Sequence, residues 1–134
     1  MKVLILPREH LQVMETHVGN CAPEEGCGLL AGTGNQVELT IPITNQEHSP
    51  VRYNMEPNEL VRAFYDIEAR KLEMLASFHS HPNGPAVPSK TDVAEFFYPG
   101  TFMLIWSRID QRWTVKAFEI LADNFIEIGL QITE

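Results

Sequence analysis

The hydrophobic spacing of this chain changes between a helical and a strand period, and that change limits the folds it can adopt. Residues 8–18 carry apolar side chains three or four positions apart, which predicts an amphipathic helix that ends at Gly19 and Asn20. A second helix is predicted from Pro57, since proline suits a first helical turn. The apolar positions of that helix are Leu60, Val61, Phe64, Ile67 and Leu72.

The remaining stretches have the spacing or composition of strands and turns. Residues 27–32 and 36–44 flank the turn Gly34-Asn35 and predict a hairpin. Helices interleaved with paired strands predict an α+β fold, in which a mixed sheet is flanked by helices. The other predicted elements are a polar loop at 46–56, strands at 74–80, 102–107, 112–120 and after Asp123, a short helix at 89–98 and a turn at Asp110-Gln111.

Length and composition favour one soluble domain. The chain of 134 residues has room for one hydrophobic core, so we expect a single domain over residues 1–134. No apolar run reaches the roughly 20 residues of a membrane helix. Pro7-Arg8-Glu9 also interrupts the apolar start before a signal peptide could form. We therefore expect a cytoplasmic protein with no membrane partner.

Charge and cysteine content exclude two classes of function. The net charge of −8 argues against nucleic acid, because phosphate contacts need clustered Lys and Arg, and the ten here are scattered. Cys21 and Cys27 are too few for a disulfide framework or a four-thiolate zinc site, so we expect small, partly buried side chains. Other polar and aromatic side chains are expected to be ordinary: His10, His17 and His48 at the surface, Trp106 and Trp113 in or beside the core.

The segment from His79 to Asp92 carries the chemistry. Residues two apart on a strand point the same way, so His79 and His81 can reach one metal ion. Ser89 stands where a helix N-cap would, and this cap would aim the carboxylate of Asp92 at the same ion. Two imidazoles, one carboxylate and a water suit a catalytic zinc site. Surface histidines beside a purely structural cap would produce the same pattern.

The spacing His-x-His, seven residues, Ser, two residues, Asp resembles the signature of the JAMM metalloproteases, the catalytic members of the MPN domains. That family also places a glutamate just ahead of a Cys-Gly pair, and alignment on Cys27-Gly28 selects Glu25. The resemblance extends over nearly the whole chain and implies the JAMM/MPN fold, which is cytidine-deaminase-like. It also implies a Zn²⁺ cofactor held by His79, His81 and Asp92.

The resemblance implies a role for each residue and a class of substrate. Glu25 would take a proton from the zinc-activated water and pass it to the leaving amine. Ser89 would donate a hydrogen bond to the oxyanion, whereas Ser80 would orient the strand end. The implied reaction is hydrolysis of the peptide or isopeptide bond after the C-terminal tail of a ubiquitin-like or sulfur-carrier protein. Such a tail could add beside a sheet edge near the metal. A narrower version of this reaction is removal of one amino acid, such as cysteine, from the C-terminus of a sulfur-carrier protein.

Two other functions are compatible with parts of the pattern. A non-catalytic MPN scaffold would bind partners, but scaffold members typically lose motif residues and this chain keeps all five. A RadC-like protein shares a similar His-x-His-Pro run but usually carries a DNA-associated helical region, which this sequence lacks. The sequence also lacks the long insertions of eukaryotic deubiquitinases, so it resembles the compact prokaryotic branch. Monomer and homodimer both stay open.

Overall fold

The computed structural model describes residues 2–134, so Met1 of the expected domain lies outside the described residues. Strands and helices alternate along the chain, as the hydrophobic spacing predicts. In chain order, the elements are β1 Val3–Pro7, α1 Arg8–Cys21, β2 Cys27–Thr33, β3 Gln36–Ile43, α2 Pro57–Ala69, β4 Glu73–His81, α3 Lys90–Ala94, β5 Phe102–Ile109, β6 Arg112–Ile120 and β7 Phe125–Thr133.

The strands form one sheet that curls into a closed ring in the order β1-β3-β2-β4-β5-β6-β7. β4 runs parallel to β5, and β1 runs parallel to both β3 and β7. The pairs β2–β3, β2–β4, β5–β6 and β6–β7 are antiparallel. The predicted α+β class with a mixed sheet is therefore confirmed. Closure of the ring was not predicted, because β1 is too short to give a clear strand pattern and its partner β7 is distant in sequence.

Helix α1 packs against the sheet through Met14 and Val18, which are fully buried in the main core cluster. The predicted end at Gly19 and Asn20 is wrong, because the helix continues to Cys21. It ends where Pro23 follows, since proline lacks an N–H and excludes the helical conformation for the residue before it. That residue has extended angles of φ −54° and ψ 140°.

Helix α2 packs against a second core cluster through Ala63 and Ile67. Pro57 occupies its first turn, as predicted. The predicted apolar face is wrong at Val61 and Phe64, which are 49% and 36% exposed. The predicted Ile67 is buried, and Leu60 and Leu72 pack against the same cluster, so the apolar spacing identified part of the buried face. It missed the small side chain of Ala63, which faces the sheet.

The remaining loops, turns and strands lie where the sequence predicts them, and the short third helix differs in length. The hairpin, the polar loop, the strands after residue 73 and the Asp110-Gln111 turn are confirmed, and both turn residues have positive φ. The helix predicted over 89–98 is shorter, at Lys90–Ala94. Trp106 is buried and Trp113 partly buried, as expected. Within residues 2–134, the helices are too short or too polar to cross a membrane.

Two histidines of α1 are partly buried rather than fully solvent-facing as predicted. His10 Nδ1 lies 2.9 Å from Thr40 Oγ1, and His17 Nε2 lies 3.0 Å from the carbonyl oxygen of Cys27. Both contacts arise because α1 packs mainly against β3, while its last turns lie near the start of β2. The side chain of His48 is 68% exposed and lies 3.1 Å from Glu24, so it is a surface residue as expected.

Candidate metal centre

Three side chains converge at the end of β4. The Nε2 atoms of His79 and His81 lie 3.1 Å apart, and each lies 3.1 Å from Oδ2 of Asp92. A tetrahedral zinc ion with bonds of about 2.0–2.1 Å separates its ligand atoms by about 3.3 Å. The triangle therefore has nearly the dimensions of one face of a zinc coordination shell. This group is the one within residues 2–134 whose donor atoms are close enough to hold a metal ion.

The start of α3 fixes the direction of Asp92. Ser89 Oγ accepts a hydrogen bond from the Asp92 amide at 3.0 Å, and Asp92 Oδ2 accepts one from the Ser89 amide at 2.9 Å. This reciprocal pair is the capping arrangement that the sequence predicts. Because Ser89 Oγ acts as an acceptor in it, the hydroxyl proton is free to donate to another group.

The two histidines are held in different ways. His81 Nδ1 donates to the carbonyl oxygen of Pro85 at 2.8 Å, which leaves Nε2 as its ligating atom. His79 is fully buried, and its Nδ1 has no hydrogen-bond partner among the described residues. Its ring instead stacks on that of Tyr53, with centroids 4.5 Å apart and an interplanar angle of 24°. A hydrogen bond thus orients one ring and aromatic contact the other.

Burial and hydrogen bonding set the charges of the triangle. Burial lowers the pKa of His79, so this imidazole is neutral at pH 7. Burial alone would raise the pKa of Asp92, but hydrogen bonds from His79 and His81 outweigh it and hold that pKa well below its usual range. Burial would also lower the pKa of His81, but its hydrogen bonds to Asp92 and to the Pro85 carbonyl raise it. An ionised carboxylate beside imidazoles is a donor set that suits a divalent cation.

Glu25 lies just before β2 and is only 4% exposed. Burial raises its pKa to about 7; the charge of His81 opposes this shift and that of Asp92 adds to it. The adjacent Gly26 amide donates to Ser80 Oγ at 2.8 Å, and the Ser80 amide donates to the Gly26 carbonyl at 3.0 Å. Ser80 therefore holds the start of β2 against the end of β4, which confirms its predicted role at the strand end.

Asn45 is a residue of this site that the sequence did not reveal. It is 4% exposed, and its Nδ2 donates to the carbonyl oxygens of Glu25 and Arg52, each at 3.0 Å. Its Oδ1 accepts from the amides of Glu47 and Asn54, also at 3.0 Å. Asn45 thereby joins the loop before α2 to Glu25, which lies just before β2. In the sequence, Asn45 is a single polar residue after a strand, and nothing in that pattern indicated these contacts.

A cavity of about 270 Å³ opens beside the triangle. Glu25, Ser89 and Asp92 line it together, so the structure brings both predicted catalytic residues to the predicted metal ligands. At the rim, Val51 and Phe97 are 77% and 74% exposed. A carboxylate, a hydroxyl and a group of three possible metal ligands thus lie at one cavity, an arrangement that can support hydrolysis of a carbonyl compound.

Comparison with known proteins assigns the chain to a family. Residues 7–120 match the family described as prokaryotic homologues of the JAB domain. A probable TtuB-protein conjugate cleaving protease of Thermus thermophilus is 43% identical over 94 residues, which are 69% of this chain and 63% of that protein. The chain thus spans less than two thirds of that relative.

A second relative and a solved structure match nearly end to end. A CysO-cysteine peptidase of Mycobacterium tuberculosis is 28% identical over 135 residues, covering 98% of this chain and 92% of that protein. The solution structure of a protein from Desulfitobacterium hafniense superposes with a TM-score of 0.87 at 33% identity, covering 99% of this chain and 94% of that one. With the family match extending over most of its length, this chain belongs to the prokaryotic JAB-domain, or JAMM/MPN, family.

Proposed function

We propose that this protein is a zinc-dependent hydrolase that cleaves the peptide or isopeptide bond after the C-terminal tail of a ubiquitin-like or sulfur-carrier protein. The observation that carries the proposal is the 3.1 Å triangle of His79, His81 and Asp92 with Glu25 in the adjoining cavity. Family membership supports the reaction class. The two relatives described above are named as a probable TtuB-protein conjugate cleaving protease and a CysO-cysteine peptidase.

The donor set fits zinc. His79, His81 and Asp92 would hold the ion, and three protein ligands from imidazole and carboxylate are the usual number at a catalytic zinc. When bound, zinc supplies a Lewis acid and brings the pKa of a bound water to about 7. The ionised Asp92 and the uncharged His79 have the charges that a cation needs, whereas His81, whose pKa is raised, would lose a proton when the ion binds.

Glu25 would move the proton in this reaction. It would accept a proton from the attacking water and deliver it to the leaving amine, as the carbon–nitrogen bond breaks and a new carbon–oxygen bond forms. The products are a tail with a free carboxylate and an amine. A pKa of about 7 suits both steps, because such a group gains and loses a proton readily at neutral pH.

Ser89 would stabilise the oxyanion. Its hydroxyl oxygen already accepts from the Asp92 amide, so its hydroxyl proton is available to the carbonyl oxygen as negative charge develops there. The same residue caps α3, and this rigid helix start would keep the donor in place without rearrangement during the reaction.

The substrate tail would lie in the cavity, along the segment Val51–Met55. β4, which carries the histidines, is paired with β2 on one side and β5 on the other, so it offers the tail no free edge there. The expected addition beside a sheet edge is therefore replaced by this groove. Exposed apolar side chains at its rim, Val51 and Phe97, are typical of a surface that meets a protein partner.

We further propose that residues 1–134 form one JAMM/MPN-like domain that works in the cytoplasm. Pairing of β1 with β7 joins both ends of the described chain in one sheet, which supports a single unit. Neither Cys21 nor Cys27 forms a disulfide, as is usual for proteins of a reducing compartment.

Hydrolysis of defined adducts tests the proposal. Zinc-loaded protein would be mixed with two substrates: a carrier whose Gly-Gly terminus is joined to a lysine side-chain amine, and a carrier extended by one cysteine. Intact-mass spectrometry would follow release of the carrier with a free carboxylate. We expect cleavage of at least one adduct, loss of cleavage with a chelator, and recovery when zinc is restored. Zinc-loaded, folded protein that leaves both adducts intact would favour a scaffold instead.

A further inference from the structure

We propose that Tyr53 is a positioning residue of the metal centre: its ring stacks on the imidazole of His79 and holds it in the orientation that ligates the metal. The inference rests on the proposed function in one respect, the binding of zinc at His79, His81 and Asp92. It does not depend on the identity of the substrate or on turnover.

The need for such a residue follows from a difference between the two histidines. A metal-ligating histidine almost always donates its second ring nitrogen to a carbonyl, carboxylate or water, and this bond fixes the ring. His81 has that partner, the Pro85 carbonyl at 2.8 Å from Nδ1. The Nδ1 of His79 has none within residues 2–134. Among the described residues, an aromatic contact rather than a hydrogen bond at Nδ1 is what restricts rotation of the His79 ring.

Tyr53 provides that contact. Its ring lies nearly parallel to the imidazole of His79, at 24°, with centroids 4.5 Å apart. Rotation of His79 about its Cβ–Cγ bond would turn the edge of the imidazole into the face of the Tyr53 ring. Because side chains in a closely packed interior have little room to yield, the stack keeps the Nε2 atom directed at His81 and Asp92.

The fold holds Tyr53 in place without help from a metal. Its neighbours along the chain are fixed by Asn45: the Asn54 amide donates to Asn45 Oδ1 at 3.0 Å, and Met55 pairs with Asn45 in an isolated β-bridge. The position of the tyrosine ring is thus set by a buried asparagine and its loop. Stacking uses only the ring, so phenylalanine should replace tyrosine, whereas an aliphatic residue should not.

Zinc affinity measured by competition with a chromophoric chelator tests the inference. The variants are Tyr53→Phe, Tyr53→Leu and Tyr53→Met, the last filling the space with a flexible side chain. Tyr98→Leu is the matched control, because Tyr98 lines the same cavity but contacts Phe64 and Phe96 rather than the histidines. Circular dichroism and urea unfolding of the metal-free forms would verify that each variant folds.

We expect the zinc Kd to stay within twofold for Tyr53→Phe and Tyr98→Leu. The Kd should rise about 10- to 100-fold for Tyr53→Leu and Tyr53→Met, the range typical for loss of a residue that orients a ligand. A folded Leu or Met variant with wild-type Kd would overturn the inference. Equal weakening by Phe and Leu would overturn it too, because the hydroxyl rather than the ring would then be acting. If the wild type binds zinc but hydrolyses no adduct, the proposed function fails while this comparison of Kd values stands.

Discussion

The side-chain amide of Asn45 donates to the main-chain carbonyl of Glu25 at 3.0 Å, which joins a loop to the residue proposed as the proton carrier. The same side chain bonds to three further backbone groups in the loop before α2. One buried asparagine therefore sets the position of a catalytic candidate and of the groove wall opposite it.

Replacement of Asn45 by alanine should affect both stability and turnover. The variant leaves the buried carbonyl of Glu25 without this partner and removes the part-buried bonds to the amides of Glu47 and Asn54, so the free energy of unfolding should fall by about 1–3 kcal/mol. Urea denaturation measures this. Asn35→Ala is the control, because Asn35 makes one exposed bond, to the Val3 carbonyl. Equal losses in the two variants would show that Asn45 is not a structural centre of the loop.

Replacement of Ser89 by alanine should separate its two roles. Loss of the cap should lower the free energy of unfolding by about 1 kcal/mol. Loss of the hydroxyl donor should lower kcat about 10²- to 10³-fold, since an oxyanion donor has an effect of that size. Ser89→Thr keeps a hydroxyl and a capping oxygen, so it should recover most of both. If kcat of the alanine variant equals that of the wild type, Ser89 is a cap alone.

The stability of the metal-free protein should depend on pH through Glu25. Its pKa is about 7 in the folded protein, against 4.5 for an unperturbed glutamate. Between these values the unfolded chain releases a proton that the folded protein keeps, so stability falls as pH rises from about 4.5 to 7 and then levels off. The fall should be about 3 kcal/mol, because each unit of the difference between the two pKa values corresponds to about 1.4 kcal/mol.

Urea unfolding of the wild type and of Glu25→Gln at several pH values would measure this fall in the free energy of unfolding. The glutamine variant should lack the fall, because its side chain does not titrate. Glu24→Gln is the matched control, because Glu24 is partly exposed beside the exposed His48. If the free energies of unfolding of the wild type and Glu25→Gln change with pH in the same way, the pKa of Glu25 is not raised in the folded protein.

In the adduct assay, Glu25→Gln should lose turnover and keep zinc. Glutamine has nearly the same shape but cannot accept and return a proton, so cleavage should fall below detection. Zinc content by atomic emission should stay at the wild-type level, because Glu25 is not one of the three converging ligands. Glu24→Gln should cleave at the wild-type rate. Persistent cleavage by Glu25→Gln would assign the proton transfer to another group.

The convergence at the metal centre could be predicted from the sequence because its geometry is local. His79 and His81 are two positions apart on one strand, and Asp92 is held by a cap within three residues. Strand period and cap chemistry depend on neighbouring residues only, so the pattern was readable without the fold. Glu25 was found by alignment with a family pattern, not by spacing.

Contacts made across the sheet could not be predicted in this way. Tyr53 and Asn45 act through residues 26 and 20 positions away, and neither residue type marks such a contact in advance. The buried face of α2 was assigned correctly at Ile67 but missed Ala63, whose small side chain packs against the sheet without standing out in the apolar spacing. β1 was missed because its pairing with β7, rather than its own five residues, makes it a strand.

The parallel pairing of β1 with β7 has a consequence for synthesis of the protein. β1 must wait for residues 125–133 to be synthesised before the ring can close, whereas the segments that bear His79, His81 and Asp92 are made before them. We therefore expect the ring to stay open, with apolar strand surface exposed, until β7 has left the ribosome, because contacts between segments distant in sequence form late.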